Sequence, residues 1–204
     1  MAKRRDDDGS ETRTRLMDAT GEVMLKEGYA AATSRRVAAE AGVQRALVHY
    51  YFPTMDDLYL AVLQRGTEAA LEAQKRALRS EKPLRALWDM TIDQRGTQLA
   101  MEFMALGNHR KEIRAELAAG AVRFREAQIA ALTYMLRERQ MDGEPTSPDV
   151  VSILIAGLGR LIVLETGLGI DVGHPALLAM VDRYLDELDR RPGERPVDDV
   201  APSG

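Results

Sequence analysis

A short stretch after residue 40 concentrates side chains that can hydrogen-bond to nucleic acid. The segment AGVQRALVHYYF covers residues 41–52. Its polar and aromatic members are, in order, Gln44, Arg45, His49, Tyr50 and Tyr51. Arginine can pair with both acceptors of guanine, glutamine can pair with adenine, and tyrosine or histidine can donate to phosphate oxygens. The chemistry that this stretch could perform is therefore recognition of double-stranded DNA.

Catalytic chemistry has less support in the sequence. We find no nucleophile beside a general base, no phosphate-cradling glycine loop and no carboxylate pair at a catalytic spacing. The three histidines, His49, His109 and His174, fall on different predicted elements, and no cysteine is present to ligate a metal. We therefore expect no enzyme, no metal and no cofactor. A small all-α enzyme and a helical protein-interaction module remain as alternatives.

Two short predicted helices position the polar stretch. Thr33 or Ser34 can cap a helix over 35–41, and Gly42 permits a sharp turn into a helix over 45–52. These lengths are typical of a helix-turn-helix. Helices this short are marginal alone, so the helices before and after must cover their inner side.

The second short helix has two different sides. Val48 and Phe52 share one side, which is predicted to face inward. Gln44, Arg45 and Leu47 spread toward the opposite side, which is predicted to be free for DNA.

Helix signals dominate the rest of the 204 residues, and strand patterns are not found. The chain is predicted to be all-α, with about nine helices. Besides the two short ones, they cover residues 10–27, 54–80, 84–93, 94–107, 110–140, 148 to 167 or 169, and 175–190. The net charge of −4 argues against indiscriminate nucleic-acid binding, and a leader or membrane span is not expected. A cytoplasmic protein is the plain interpretation.

Residues 12–63 resemble the DNA-binding domain of the TetR family of transcriptional regulators. The resemblance rests on EGY at 27–29, TSRRVAAEAGV at 33–43, Phe52 and Leu58. It implies a three-helix DNA-binding domain followed by a helical domain for ligand binding and dimerisation. The corresponding division is a flexible arm over 1–10, the helix-turn-helix domain over 11–57, the larger domain over 58–190 and a disordered tail over 191–204.

The resemblance also implies roles for single residues. Thr33 and Ser34 would bind phosphate, with Arg35 as a further candidate. Gln44 and Arg45 would enter the major groove, accompanied by Leu47 and Tyr50. His49 and Tyr51 would contact the DNA backbone, although both tyrosines could equally be half-buried core residues.

Two positions depart from the family pattern. Ala46 stands where glycine is frequent, and Met55 stands where a lysine often binds phosphate. We expect the missing lysine to make DNA binding less dependent on salt.

The end of the chain has the pattern of a dimer interface. The predicted helix from residue 148 is apolar nearly all round, and the last helix carries an apolar stripe. We expect residues 148–190 to pair in a homodimer that binds near-palindromic operator DNA, although both helices could simply be core.

The middle of the chain is rich in methionine and aromatic residues, which suit an adaptable cavity for a small-molecule effector and are also ordinary core residues. The candidate ligand contacts are Trp88, Met101, Phe103, Met104, Asn108, His109, Phe124 and Glu165. The expected function is DNA-binding regulation in which a small hydrophobic or amphipathic effector releases the protein from its operator.

Overall fold

The computed structural model describes residues 2–138 and 147–189. Within those ranges the chain forms nine α-helices and one 3-10 turn, without strands. The α-helices are α1 Ala2–Glu27, α2 Ser34–Ala41, α3 Arg45–Tyr51, α4 Met55–Ala77, α5 Pro83–Thr91, α6 Gln94–Gly107, α7 Lys111–Glu138, α8 Pro148–Gly167 and α9 His174–Asp189. The all-α prediction is confirmed. The proposed disordered tail at 191–204 lies outside the described residues.

Local capping chemistry sets the boundaries of the first helices. Gly28 and Gly42 follow α1 and α2 with φ angles of 82° and 65°, which favour glycine. The Thr33 hydroxyl accepts the Arg36 amide at the start of α2. At α4, Thr54 and Asp57 bond to each other's backbone amides in a capping box. These stops and starts fix the short lengths of α2 and α3.

The first helix is longer than the sequence indicated. It begins at Ala2, so residues 2–10 are helical, and their assignment as a flexible arm is corrected. Ser10 lies inside the helix rather than capping it. The preceding residues contain no proline that would interrupt the helix.

One apolar cluster underlies the helix-turn-helix. It contains fully buried side chains from each of the first four helices, such as Leu16 of α1, Val37 of α2, Val48 of α3 and Leu58 of α4. The cluster continues into α6 and α7, where it contains Phe103, Leu106 and Ile113. The N-terminal helices therefore share their core with the larger part of the chain, and a boundary at residue 57 remains a prediction.

A second apolar cluster lies in the larger part of the chain, which comprises α4 to α9. It contains Leu84 and Trp88 from α5, Leu132 from α7, Ile155 from α8 and Leu185 from α9. Helix α5 packs against both α8 and α9.

Among the described residues, one helix is long and apolar enough to cross a membrane by length and composition. That helix is α8, and about a third of its apolar window is buried inside the protein. The core helix of a soluble protein passes the same test, so this is weak evidence.

Candidate nucleic-acid interface

Helix α3 is fixed by its inner side. Val48 is fully buried and Phe52 is nearly so, as their spacing predicted. The Arg13 guanidinium of α1 lies 5.0 Å from the centre of the Phe52 ring, where a cation and an aromatic face attract each other. The opposite side of α3 is therefore held at a defined orientation.

The outer side of α3 carries the residues predicted to read DNA. Gln44, Arg45 and His49 are exposed, and Tyr50 is 76% exposed. Gln44 occupies the N-cap position without using its side chain for capping. Leu47 is half-buried. The structure thus brings four of the predicted DNA contacts onto one exposed surface, which we call the recognition face: Gln44, Arg45, His49 and Tyr50.

Ser34, which is predicted to contact phosphate, lies against Arg45 in the structure. Its side chain is buried, and its hydroxyl accepts a hydrogen bond from Arg45 Nε at 3.0 Å. The reason is that the first turn of α2 points this residue toward α3. Because Nε is occupied by Ser34, the terminal nitrogens of Arg45 are the ones left to face a base. Ser34 therefore positions Arg45.

The start of α2 carries the other two residues that are predicted to contact phosphate. Thr33 and Arg35 are exposed there. Arg36 is instead held by two carboxylates, Glu27 of α1 and Glu40 of α2, each at 2.8 Å. These ion pairs tie α2 to the end of α1, and hydrogen bonds from Arg36 and then Lys26 lower the pKa of the Glu40 carboxyl.

Tyr51 and Met55 lie at the end of α3 and the start of α4, next to the recognition face. Both are half-buried and pack against the first apolar cluster. The Tyr51 ring meets Tyr50 edge-on at 5.0 Å, and its hydroxyl lies beside Gly9 of α1. The half-buried interpretation of Tyr51 is confirmed, whereas Tyr50 is not a core residue.

Three long-range contacts hold the helix-turn-helix against the larger part. The Tyr59 hydroxyl of α4 donates to the Ala32 carbonyl at 2.7 Å, and burial raises the pKa of this tyrosine. Glu102 of α6 accepts the Tyr29 amide at 2.7 Å, and Arg65 of α4 binds Asp18 of α1 at 2.6 Å. Sequence reasoning missed these residues, since partners up to 73 positions apart leave no local signal.

The candidate ligand residues are not gathered at one place. Trp88 belongs to the second cluster, whereas Phe103 belongs to the first. Met104, Asn108 and His109 are exposed, and the His109 ring stacks on Tyr29 at 6.4 Å.

The other three candidates are half-buried or engaged. Met101 and Phe124 are half-buried, and the Phe124 carbonyl accepts Gln74 Nε2. Glu165 binds His174 Nε2 at 2.7 Å, which connects α8 to the start of α9. The eight residues are therefore divided between the two apolar clusters and the surface. The spacing of methionine and aromatic residues in the sequence does not show whether a given side chain packs into the first or the second apolar cluster.

Helices α8 and α9 expose apolar side chains that a surface rarely presents together. One face of α8 is buried through Val151, Ile155 and Ile162. Other apolar residues of the two helices are exposed, and we call them the apolar face: Val150, Ile153, Leu154, Leu161 and Leu164 of α8 with Met180 and Tyr184 of α9. A Cβ added at Gly157 would meet nothing within 4 Å, so the α8 backbone is open there.

Comparison with known proteins agrees with this geometry. Residues 16–62 match the family model for bacterial regulatory proteins of the tetR family. The transcriptional activator FasR of Mycolicibacterium smegmatis is 37% identical over 70 residues, which cover 34% of this chain and 32% of FasR. The regulator PksA of Bacillus subtilis is 29% identical over 115 residues, covering 52% of this chain and 56% of PksA. The matches thus span about a third and about half of these relatives.

Solved structures share the fold along most of the chain. A TetR regulator from Haloarcula marismortui has a TM-score of 0.70 at 20% identity, with 87% of this chain and 98% of that one covered. A transcriptional regulator from Saccharomonospora viridis, solved with choline, has the same TM-score and identity, with 87% and 95% covered. The fold and the match over the helix-turn-helix lead to one conclusion: residues 16–62 form a DNA-binding domain of the tetR type, in a chain that has the fold of TetR regulators.

Proposed function

We propose that the protein is a cytoplasmic, sequence-specific transcriptional regulator that binds operator DNA as a homodimer and is released by a small hydrophobic or amphipathic ligand. The observation that carries the proposal is the recognition face. Its arginine, glutamine, histidine and tyrosine side chains are exposed on one side of a helix whose other side is locked into the core. Such an arrangement suits insertion of α3 into the major groove.

The acidic net charge is compatible with this function because the interface needs only a local set of donors. Thr33 and Arg35 flank the recognition face at the start of α2 and would contact phosphate, while Gln44 and Arg45 would contact base edges. Phosphate contacts fix the register of the protein, and base contacts supply the sequence preference.

Dimerisation through the apolar face completes the operator-binding unit. A single helix-turn-helix reads too few base pairs for a useful specificity, and dimers place two recognition helices roughly 34–36 Å apart. The apolar face lies on helices that are contiguous with the second core cluster, and a two-fold pairing of α8 and α9 would bury it in a four-helix arrangement. The operator would then be near-palindromic.

Effector binding would act through α4. This helix begins four residues after the end of α3 and runs through the first cluster to Ala77 in the larger part. A ligand that binds one orientation of α4 better would shift the spacing of the two recognition helices. We propose repression with release on ligand binding. The related FasR is a transcriptional activator. A reporter gene fused to the selected operator therefore shows whether this protein represses or activates transcription.

Selection on random double-stranded DNA tests the proposal directly. We expect the purified protein to enrich a near-palindromic site, with one dimer bound per site in a gel-shift assay. Enrichment of no sequence would favour a protein-interaction module that has kept the helix-turn-helix shape. In that outcome the exposed donors on α3 would have another partner.

Restoring a basic side chain at residue 55 should strengthen the salt dependence of DNA binding. Met55 is the first residue of α4 and is half-buried, so a lysine there can keep its aliphatic part against the core and extend its ammonium outward. One added phosphate contact steepens the slope of log K against log salt by about one per subunit. Operator binding measured over a salt series for wild type and Met55→Lys gives the slopes.

The matched control for Met55→Lys is Met55→Leu, which keeps the packing without the charge. Its slope should equal that of the wild type. Equal slopes for all three proteins would show that residue 55 lies too far from phosphate to bind it.

A further inference from the structure

The interior of the larger part contains three uncharged polar side chains that are almost completely buried. Gln74 of α4 is 1% exposed, Gln128 of α7 is 2% exposed and Ser152 of α8 is 0% exposed. A buried amide is costly unless its hydrogen bonds are formed. The partners of these groups therefore indicate whether the interior is complete without a ligand.

The Gln74 amide is only partly satisfied. Its Nε2 donates to the Phe124 carbonyl at 2.9 Å. Because a carbonyl oxygen can only accept, this bond fixes the orientation of the amide. Within the part of the chain that the structure describes, Gln74 Oε1 has no donor.

The Gln128 amide is also incomplete. Its Oε1 accepts the Ser152 hydroxyl at 2.6 Å, and its Nε2 has no acceptor among residues 2–138 and 147–189. In the orientation that the structure gives this amide, Nε2 is the group that lacks a partner.

Helix α7 brings the two amides to neighbouring positions. Phe124, Gln128 and Leu132 follow one another at intervals of four residues, so they lie on one face of the helix. The Gln74 side chain is bonded to the first of these residues, and Gln128 is one turn further along. Leu132, the next turn, is fully buried in the same cluster as Trp88. Gln128 thus lies one helical turn before a member of the second apolar cluster, and the carbonyl that binds Gln74 lies one turn before Gln128.

The charge of this interior restricts the ligand. Apart from serine, threonine and glutamine, the buried polar residues in the described ranges include only His174, which is bonded to Glu165. No buried carboxylate, ammonium or guanidinium is among them to neutralise a charged ligand. An ion would lose its hydration here without a counter-ion.

We infer that Gln74 and Gln128 form the polar end of the effector site, and that the effector is an uncharged molecule whose head group both donates and accepts hydrogen bonds. Its donor would bind Gln74 Oε1, its acceptor would bind Gln128 Nε2, and its apolar body would lie against the cluster around Trp88. This inference rests on the proposed function and deepens it. Since Gln74 is three residues from the end of α4, the ligand would act directly on the helix that follows the recognition helix.

The only tryptophan of the chain provides the measurement. Trp88 is 1% exposed within the second cluster, so its emission reports a molecule that enters there. We expect octanamide, which is neutral and carries both donor and acceptor, to change the emission of the full-length protein in a saturable way. Octanoate has the same chain length and a charged head group, and it should bind at least about tenfold more weakly because its charge stays unpaired.

Variants at the two amides locate the binding site. Gln74→Leu and Gln128→Leu should each weaken octanamide binding by about tenfold, the equivalent of one buried hydrogen bond. Gln64→Leu removes an exposed amide on the same helix and should leave the binding unchanged. If one interior variant fails to fold by circular dichroism, the other still tests the inference.

The inference would be overturned by octanoate binding as tightly as octanamide, or by an absence of saturable emission change with octanamide. Unchanged octanamide affinity in the folded interior variants would do the same. Operator binding by the same preparations separates the two proposals. A protein that selects an operator and ignores octanamide contradicts the effector assignment alone, whereas one that selects no operator contradicts the regulator itself.

Discussion

Arg45→Ala should lower the affinity for the selected operator by about ten- to a hundredfold per half-site and should relax the preference at one base pair. A bidentate arginine contact to guanine is worth roughly 1–3 kcal/mol of discrimination. Arg45 is suited to this contact because it is exposed at the start of α3 and because Ser34 holds its Nε. Gel-shift titrations with the selected operator and with single-base variants of it measure both effects.

Two companion variants sharpen this experiment. Ser34→Ala removes the acceptor of Arg45 Nε and leaves the guanidinium in place, so its loss of affinity should be smaller than that of Arg45→Ala. Arg79→Ala removes an exposed arginine just beyond α4 and should have no effect on specificity. Specific binding that Arg45→Ala leaves intact would remove this residue from the base-reading set.

The helix-turn-helix was predictable because its determinants are local. Gly42 in a left-handed conformation and the caps at Thr33 and Thr54 act within a few residues of where they stand. The alternation of inner and outer residues on α3 follows from helical geometry alone, so the burial of Val48 and the exposure of Gln44 could be predicted without knowing what packs behind them.

Contacts between distant elements could not be predicted in the same way. Nothing next to Ser34 in the sequence indicates that Arg45 will bond to its hydroxyl. The family pattern, which implies a phosphate contact for Ser34, does not indicate this bond either. Phe103 illustrates the same difficulty in the larger part. Its residue type fits any core, and only the packing of α6 against α1 assigns it to the first cluster rather than to the cluster around Trp88.

The interior amides were missed for a related reason. Gln74 and Gln128 lie on helices rich in charged residues, where a glutamine is usually a solvated surface residue. Their significance depends on burial and on missing partners, which are properties of the assembled helices. The methionine and aromatic residues were more conspicuous in the sequence, yet several of them are exposed, such as Met104.

The double variant Leu154→Asp with Leu161→Asp should convert the protein to a monomer and lower operator affinity by about a hundred- to ten-thousandfold, because the two half-sites are then bound independently. Both leucines are exposed on the apolar face in the single chain, so the aspartates cost the monomer little. In the proposed dimer the same positions would bury carboxylates without counter-ions. Analytical ultracentrifugation gives the oligomeric state, and gel-shift titration gives the affinity.

Val122→Asp is the matched control, since Val122 is an equally exposed apolar residue that lies on α7 instead. It should leave both the dimer and the operator affinity unchanged. A double variant that remains dimeric would place the two-fold contact away from α8, whereas a folded monomer with full operator affinity would contradict the need for a dimer. Circular dichroism of the double variant distinguishes a loss of assembly from unfolding.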